Sequence, residues 1–246
     1  MTPAEERALG AIGSELGRLA RYDDESIVND VWVRRRYDGG RFANYREARR
    51  ATISTAWHEA GHAVAAIAVG ARFRSASIHP GRDTEGRVHG IQATGDRAFV
   101  VDAAGQIAER LMAWTMLNDD ELRAWLPTWQ GDGGDAKRFR EGIHRRFGAD
   151  EFAAWRYSEE FLVPQRLKIS QVARALLVHP RHIPQPVVAA IAANCCRRPP
   201  RRPLSPGCAA AGSAPAFRSP GRGQNRVSGS PADLAHPRSP ASYSNS

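Results

Sequence analysis

His58, Glu59 and His62 stand in the run Thr55-Ala56-Trp57-His58-Glu59-Ala60-Gly61-His62-Ala63-Val64-Ala65-Ala66 and spell H-E-x-x-H. Residues four apart share one face of a helix, so the two imidazoles can aim ring nitrogens at a single metal ion. Glu59, one residue past the first histidine, is placed to reach a water held at that ion and not the ion itself. That is metal hydrolase chemistry. Ala60, Ala63, Val64, Ala66, Ile67 and Ala68 surround the motif with apolar, helix-forming residues. Buried imidazoles beside a carboxylate need a purpose or a partner. The plain alternative is a pair of core histidines satisfied by hydrogen bonds.

A closed metal site needs a ligand from elsewhere in the chain. Gly131-Asp132-Gly133-Gly134-Asp135 puts two aspartates in a glycine-rich bend, followed by a segment carrying Phe139, Ile143 and Phe147 at helical spacing. Either Asp132 or Asp135 suits a third ligand, and either is equally a helix N-cap. His79 and His89 are also within range of such a role. Both sit on loop-flanked strand segments without chelating spacing, where surface or hydrogen-bonded histidines are commoner.

The elements that must position these residues follow from the pattern of apolar side chains. Leu9, Ile12, Leu16 and Leu19 predict an amphipathic helix within 1–21. Residues 22–48 mix charge with Ile27, Val28, Val31, Trp32 and Val33, and Arg34, Arg35 and Arg36 read as a solvated face. Helix resumes near Tyr45 and runs through the motif to Val69, with Gly70 at its C-terminal cap. A hairpin is expected from 72–79 and 87–92 around Pro80-Gly81-Arg82-Asp83. A second strong helix spans 97–116, and a polar, Trp-containing connection leads to the glycine-rich bend. Helix continues over 151–178, broken near Pro164, and a last short helix covers 186–193.

Of the 246 residues 42% are hydrophobic, which fits a globular protein with a sizeable core. No apolar run reaches membrane-spanning length, and Met1 to Glu6 lacks the basic start of a signal peptide, so a cytoplasmic, soluble protein is the expectation. The net charge of +9 is unevenly spread: residues 195–246 hold eight Arg and a single acid, Asp233. The basic character therefore belongs to an Arg-, Pro- and Ser-rich tail without periodicity, read as a disordered segment and not as a specific nucleic-acid site. All three cysteines, Cys195, Cys196 and Cys208, lie in that tail without C-x-x-C spacing, which argues against a disulfide framework or a structural zinc knot.

The chain resembles the peptidase domain of the FtsH-type AAA metalloproteases. Ala56-Trp57-His58-Glu59-Ala60-Gly61-His62-Ala63 is similar to that family's A-x-H-E-A-G-H-A helix. Ala104-Gly105-Gln106-Ile107-Ala108-Glu109-Arg110 resembles its G-G-R-x-A-E-E segment. Gly133-Gly134-Asp135-Ala136-Lys137-Arg138 resembles its S-N-D-L-x-x-A segment, and the resemblance implies that Asp135, not Asp132, is the third zinc ligand. The likeness covers roughly residues 50–190. No G-x-x-x-x-G-K-[ST] stretch occurs within these 246 residues, so ATP-coupled unfolding is not expected of them alone.

The combined expectation is a mainly α fold with a small β-hairpin or sheet, a zincin-like helical metallopeptidase domain. It comprises an N-terminal helical extension over 1–48, the peptidase domain over 49–194 and the tail over 195–246. His58, His62 and Asp135 would bind Zn²⁺ and Glu59 would act as general base. Peptides or unfolded proteins are the expected substrates, with no specific nucleic acid and no membrane as partners. A homo-oligomer or a separate unfoldase is compatible with that scheme. The competing reading is a non-catalytic, metal-stabilised interaction module, disfavoured because a purely structural site has no need of Glu59.

Overall fold

In a computed structural model of the chain, residues 1–194 are described apart from 39, 41, 80–85 and 131–133. The chain divides into two compact units, Met1–Arg201 and Arg202–Ser246, and every described element belongs to the first. The tail 195–246, Asp132 and the Pro80–Asp83 turn lie outside the described residues.

The fold is mostly helical, with a small antiparallel sheet. Its axis is α4 (Tyr45–Ala68), buried along most of its length from Ala48 to Ala66. Asn44 starts it by accepting the Glu47 amide at 2.9 Å, while the Glu47 carboxylate accepts the Ala43 amide at 3.0 Å. At the other end Gly70 takes a left-handed conformation (φ 75°). The Gly70 amide bonds Ile67 O and the Ala71 amide bonds Ala66 O, which closes the last carbonyls in a Schellman arrangement. The stretch 56–66 is buried on every side and so has to be covered on every side. α3 (Asp30–Asp38), α5 (Ala98–Ala113) and α9 (Arg166–Val178) provide that cover.

The approach of α5 to α4 is unusually close because Gly61 lacks a side chain. A Cβ there would come within 2.4 Å of Ala104 O and 2.6 Å of Ala108 Cβ. The backbone contact aligns one face of α5 with the H-E-x-x-H face.

α1 (Pro3–Leu19) begins with a capping box between Thr2 and Glu5 and packs on α9 and α10 (Gln185–Asn194). α2 (Asp24–Ile27) is pinned to α4 through Asp24, which accepts from Trp57 Nε1 at 2.9 Å and Arg174 Nη1 at 3.3 Å. Arg36 on α3 departs from the solvated face expected of Arg34–Arg36. It is buried and donates to Thr55 Oγ1 at 3.0 Å and to Ile78 O at 3.3 Å, so its charge ties α3 and α4 to the sheet.

The sheet has the order β2-β1-β3, with β1 (Ser75–Ser77) antiparallel to β2 (Arg87–His89) and to β3 (Ile183–Pro184). Ser75 pairs with His89, Ala76 with Val88 and Ser77 with Arg87. The strands are shorter than the expected hairpin, although a bridge between Arg72 and Gln92 extends it. β3 comes from a segment with no strand pattern of its own. Among the described residues that leaves β2 at an edge of the sheet.

The connection expected to be merely polar contains α6 (Asp119–Trp125), opened by an Asn118–Glu121 capping box. α7 (Asp135–Phe147) follows, then α8 (Glu151–Leu162), a 3-10 turn around Pro164, and α9. Trp129, Phe139 and Trp155 form an aromatic cluster with centroid spacings of 5.1 to 6.0 Å, and Phe99 of α5 stands 6.1 Å from Phe139. These edge-to-face contacts fix α7 against α5. They set where the first residue of α7, Asp135, arrives.

Candidate metal centre

The start of α7 delivers Asp135 to the H-E-x-x-H face of α4. His58 Nε2 and His62 Nε2 are 3.0 Å apart, and Asp135 Oδ2 lies 3.4 Å from the first and 3.2 Å from the second. All three residues are buried. Among the described residues this is the group of His, Cys, Asp and Glu whose ligand atoms converge, all within 4.8 Å of one another. His79 instead packs edge-on to Trp32 and His89 edge-on to His182, each with centroids 4.7 Å apart, so neither joins the cluster.

The far side of each imidazole fixes its tautomer. His62 Nδ1 lies 2.6 Å from Val101 O, a carbonyl that only accepts, so Nδ1 carries the hydrogen. His58 Nδ1 lies 2.6 Å from Glu109 Oε1, and the Ser54 hydroxyl donates to Glu109 Oε2 at 3.0 Å. Both rings therefore present Nε2 inwards. Two lone pairs and a carboxylate oxygen at such separations repel unless a cation sits among them.

A tetrahedral ion bonded at about 2.0–2.1 Å holds its ligand atoms about 3.3 Å apart, close to the spacing of these three. The donor set of two imidazoles and one carboxylate matches a catalytic zinc site with a fourth position left for water. The residues present thus fit a metal ion.

Protonation tells the same story from the metal-free side. Burial disfavours an imidazolium at His58, but hydrogen bonds to Asp135 and Glu109 outweigh it and raise the pKa to about 10. Burial likewise pushes Asp135 upward, yet the two histidines hold its carboxyl well below the usual carboxylate range. Without a metal, a proton takes the place of the cation.

Glu59 is buried against the same cleft, and burial raises its pKa against the opposing pull of His62 and His58. The Val88 backbone amide on β2 opposes the rise as well. The cleft has a volume of about 850 Å³ and runs between α4, α5, the start of α7 and the edge strand, with Ser54, Arg87, Ile91, Asp102 and Arg138 on its walls.

Gly105 is what lets His58 lie flat on α5. A Cβ at that position would stand 2.5 Å from the ring atoms Cε1 and Nε2. Gly105, Glu109 and Arg138 are legible in the sequence only within segment likenesses, and Val101 and Asp102 carry no signal of their own. A half-buried acid four residues after a glycine, on an otherwise apolar helix face, is the pattern that marks Glu109.

Residues 47–120 match a family model described as Peptidase M50B-like. This is the site-2 protease family of zinc metallopeptidases, not the FtsH type, and the match supports a metallopeptidase domain. It covers less than half of the chain, taking in most of α4 and all of β1, β2 and α5, and ending before Asp135. No curated protein matches the chain. Among the described residues no helix is long and apolar enough to cross a membrane.

Proposed function

We propose that this chain is a zinc-dependent endopeptidase acting on peptides or unfolded protein segments, with His58, His62 and Asp135 as ligands and Glu59 as general base. The observation that carries the reading is the convergence of His58 Nε2, His62 Nε2 and Asp135 Oδ2 beside a buried, non-ligating Glu59. Zinc, when bound, supplies the Lewis acidity that brings the pKa of a water towards about 7 and polarises a carbonyl. Glu59 takes a proton from the attacking water and returns it to the leaving amine nitrogen. Its burial-raised pKa moves it towards the range in which one group can do both. Edge strand β2 lines the same cleft, so an extended substrate can lie along it by strand addition.

The FtsH-type likeness singled out Asp135, and the convergence of its carboxylate with the two histidines supports Asp135 as the third ligand. On this reading proteolysis is not coupled to ATP within these residues, and a separate unfoldase would be needed for folded substrates.

The deciding experiment is metal content by plasma mass spectrometry together with cleavage of unfolded casein, for wild type and for Glu59→Gln. Retained zinc with turnover lowered by about 10²–10⁴-fold is the expected result. A Glu59→Gln protein that still cleaves removes Glu59 from the mechanism. Zinc in the wild type without any cleavage turns the reading to a metal-stabilised interaction module.

A further inference from the structure

α5 orients each of the three converging side chains by a different contact. Glu109 holds His58 and the Val101 carbonyl holds His62. The third contact runs through Arg138. Its Nε donates to Asp102 Oδ1 on α5 at 2.9 Å, and its Nη2 donates to Asp135 Oδ1. The other oxygen, Asp135 Oδ2, is the one that faces both histidines. A single guanidinium thus engages the outer carboxylate oxygen and leaves the inner one as the only oxygen turned to the ligand cluster.

We infer that Arg138, anchored by Asp102, is the positioning residue of the third ligand and keeps Asp135 monodentate. The inference rests on the metal site described above. Several features make the contact specific. Asp135 is the first residue of α7, and Gly134 before it adopts a left-handed conformation (φ 89°) with no side chain to cap the helix. The carboxylate is therefore not fixed by a neighbouring cap, and its orientation depends on contacts across the cleft. Arg138 lies one turn further on, on the same face, and its planar fork is suited to serving two carboxylates on separate helices at once. Asp102 has no part in the proton transfers assigned to Glu59. Burial raises its pKa against the pull of Arg138, so it stays charged most readily when the guanidinium is beside it.

The consequence for the metal is one of denticity. With Oδ1 engaged, Asp135 would offer an ion a single oxygen beside the two imidazole nitrogens. With Oδ1 released, Asp135 can turn both oxygens inwards, which raises the coordination number and competes with water for the ion. Partners of this kind change metal affinity by about 10–100-fold when removed.

The test uses the full-length protein. Zinc affinity is measured by competition with a chromogenic chelator, and the visible spectrum is recorded after cobalt(II) substitution, for wild type, Arg138→Ala, Arg138→Lys, Asp102→Asn and the Arg138→Ala/Asp102→Asn double variant. Circular dichroism melts confirm that each is folded at the assay temperature. Arg138→Ala is expected to weaken zinc by about 10–100-fold and to lower the cobalt band intensity as the site gains a ligand. Asp102→Asn should shift both in the same direction by less. The double variant should be no worse than Arg138→Ala, and Arg138→Lys should recover only part of the loss. Unchanged zinc affinity and cobalt spectrum in folded Arg138→Ala overturn the inference while leaving the zinc site standing. A wild-type protein that binds neither ion overturns the zinc site itself, and the positioning role with it.

Discussion

Glu109 Oε1 lies 2.6 Å from His58 Nδ1, so the first histidine of the motif is oriented from a helix 51 residues away in sequence. The same carboxylate accepts from Ser54, one turn before His58 on α4. The histidine and its carboxylate partner therefore belong to one rigid pair of helices held together at Gly61. This contact fixes the tautomer and raises the basicity of Nε2.

Replacing Glu109 with Ala should weaken zinc binding by about 10–100-fold with little change in the helical far-ultraviolet spectrum. Glu109→Gln keeps an acceptor at the same place and should lose less. Chelator competition at constant pH measures both, and equal affinity in all three proteins would disprove an orienting role for Glu109.

Gly105→Ala tests the packing under His58. The added methyl would lie 2.5 Å from two ring atoms, well inside contact distance, and the ring backs onto Glu109 and His62. Overpacking of this kind typically destabilises by about 1–3 kcal/mol. The expected outcome is a lower melting temperature together with substoichiometric zinc. An intact melt with full zinc would show that the two helices separate more easily than Gly61 and Gly105 imply.

Much of this arrangement is legible in the sequence because it is local. The spacing of His58 and His62, the apolar run around them, the glycine after the helix and the break at Pro164 each depend on residues within a turn or two of one another. The Asn118–Glu121 capping box was equally local, and the helix it opens, α6, could have been read from it. Asp135 could be narrowed to a glycine-rich bend but reached only by family likeness, because the aromatic packing of Phe139 against Phe99, Trp129 and Trp155 is what brings that bend to α4. Arg36 looked like part of a solvated triplet because nothing nearby in sequence reveals its partners, Thr55 and the Ile78 carbonyl. β3 was invisible for a similar reason: two residues make a strand only because β1 is there to pair with them.

The protonation of the site gives the metal-free protein a distinctive pH profile. His58 has its pKa raised from 6.5 to about 10 in the fold, so its contribution to stability is fully present below pH 6.5 and lost as the pH rises through about 10. The pKa of Asp135 is lowered from 3.8, so its contribution is present above that value and lost on acidification. These are two views of one contact and are not additive. After treatment with a chelator, the melting temperature should therefore fall between pH 6.5 and about 10. The fall should be about 2–4 °C for each kcal/mol lost. Zinc-loaded protein should lack this decline, since the ion replaces the proton. Parallel melts of the two forms decide the matter, and a metal-free protein as stable at the alkaline end as at neutrality would mean that His58 is not held as an imidazolium.

The edge strand makes a prediction about substrate backbone. β2 is paired on one side by β1 and borders the cleft on the other, with Arg87 and Val88 among the lining residues. If an extended peptide adds to that edge, its recognition depends on main-chain amides near the scissile bond more than on any one side chain. Each such hydrogen bond contributes about 0.5–1.5 kcal/mol, which corresponds to roughly a 2- to 12-fold change in binding. A series of otherwise identical peptides, N-methylated one position at a time, should show increases of that size in KM at alternating positions. The alternation follows because successive amides of a strand point to opposite sides. A flat profile, or a loss confined to the scissile amide, would place the substrate across the cleft without pairing to β2.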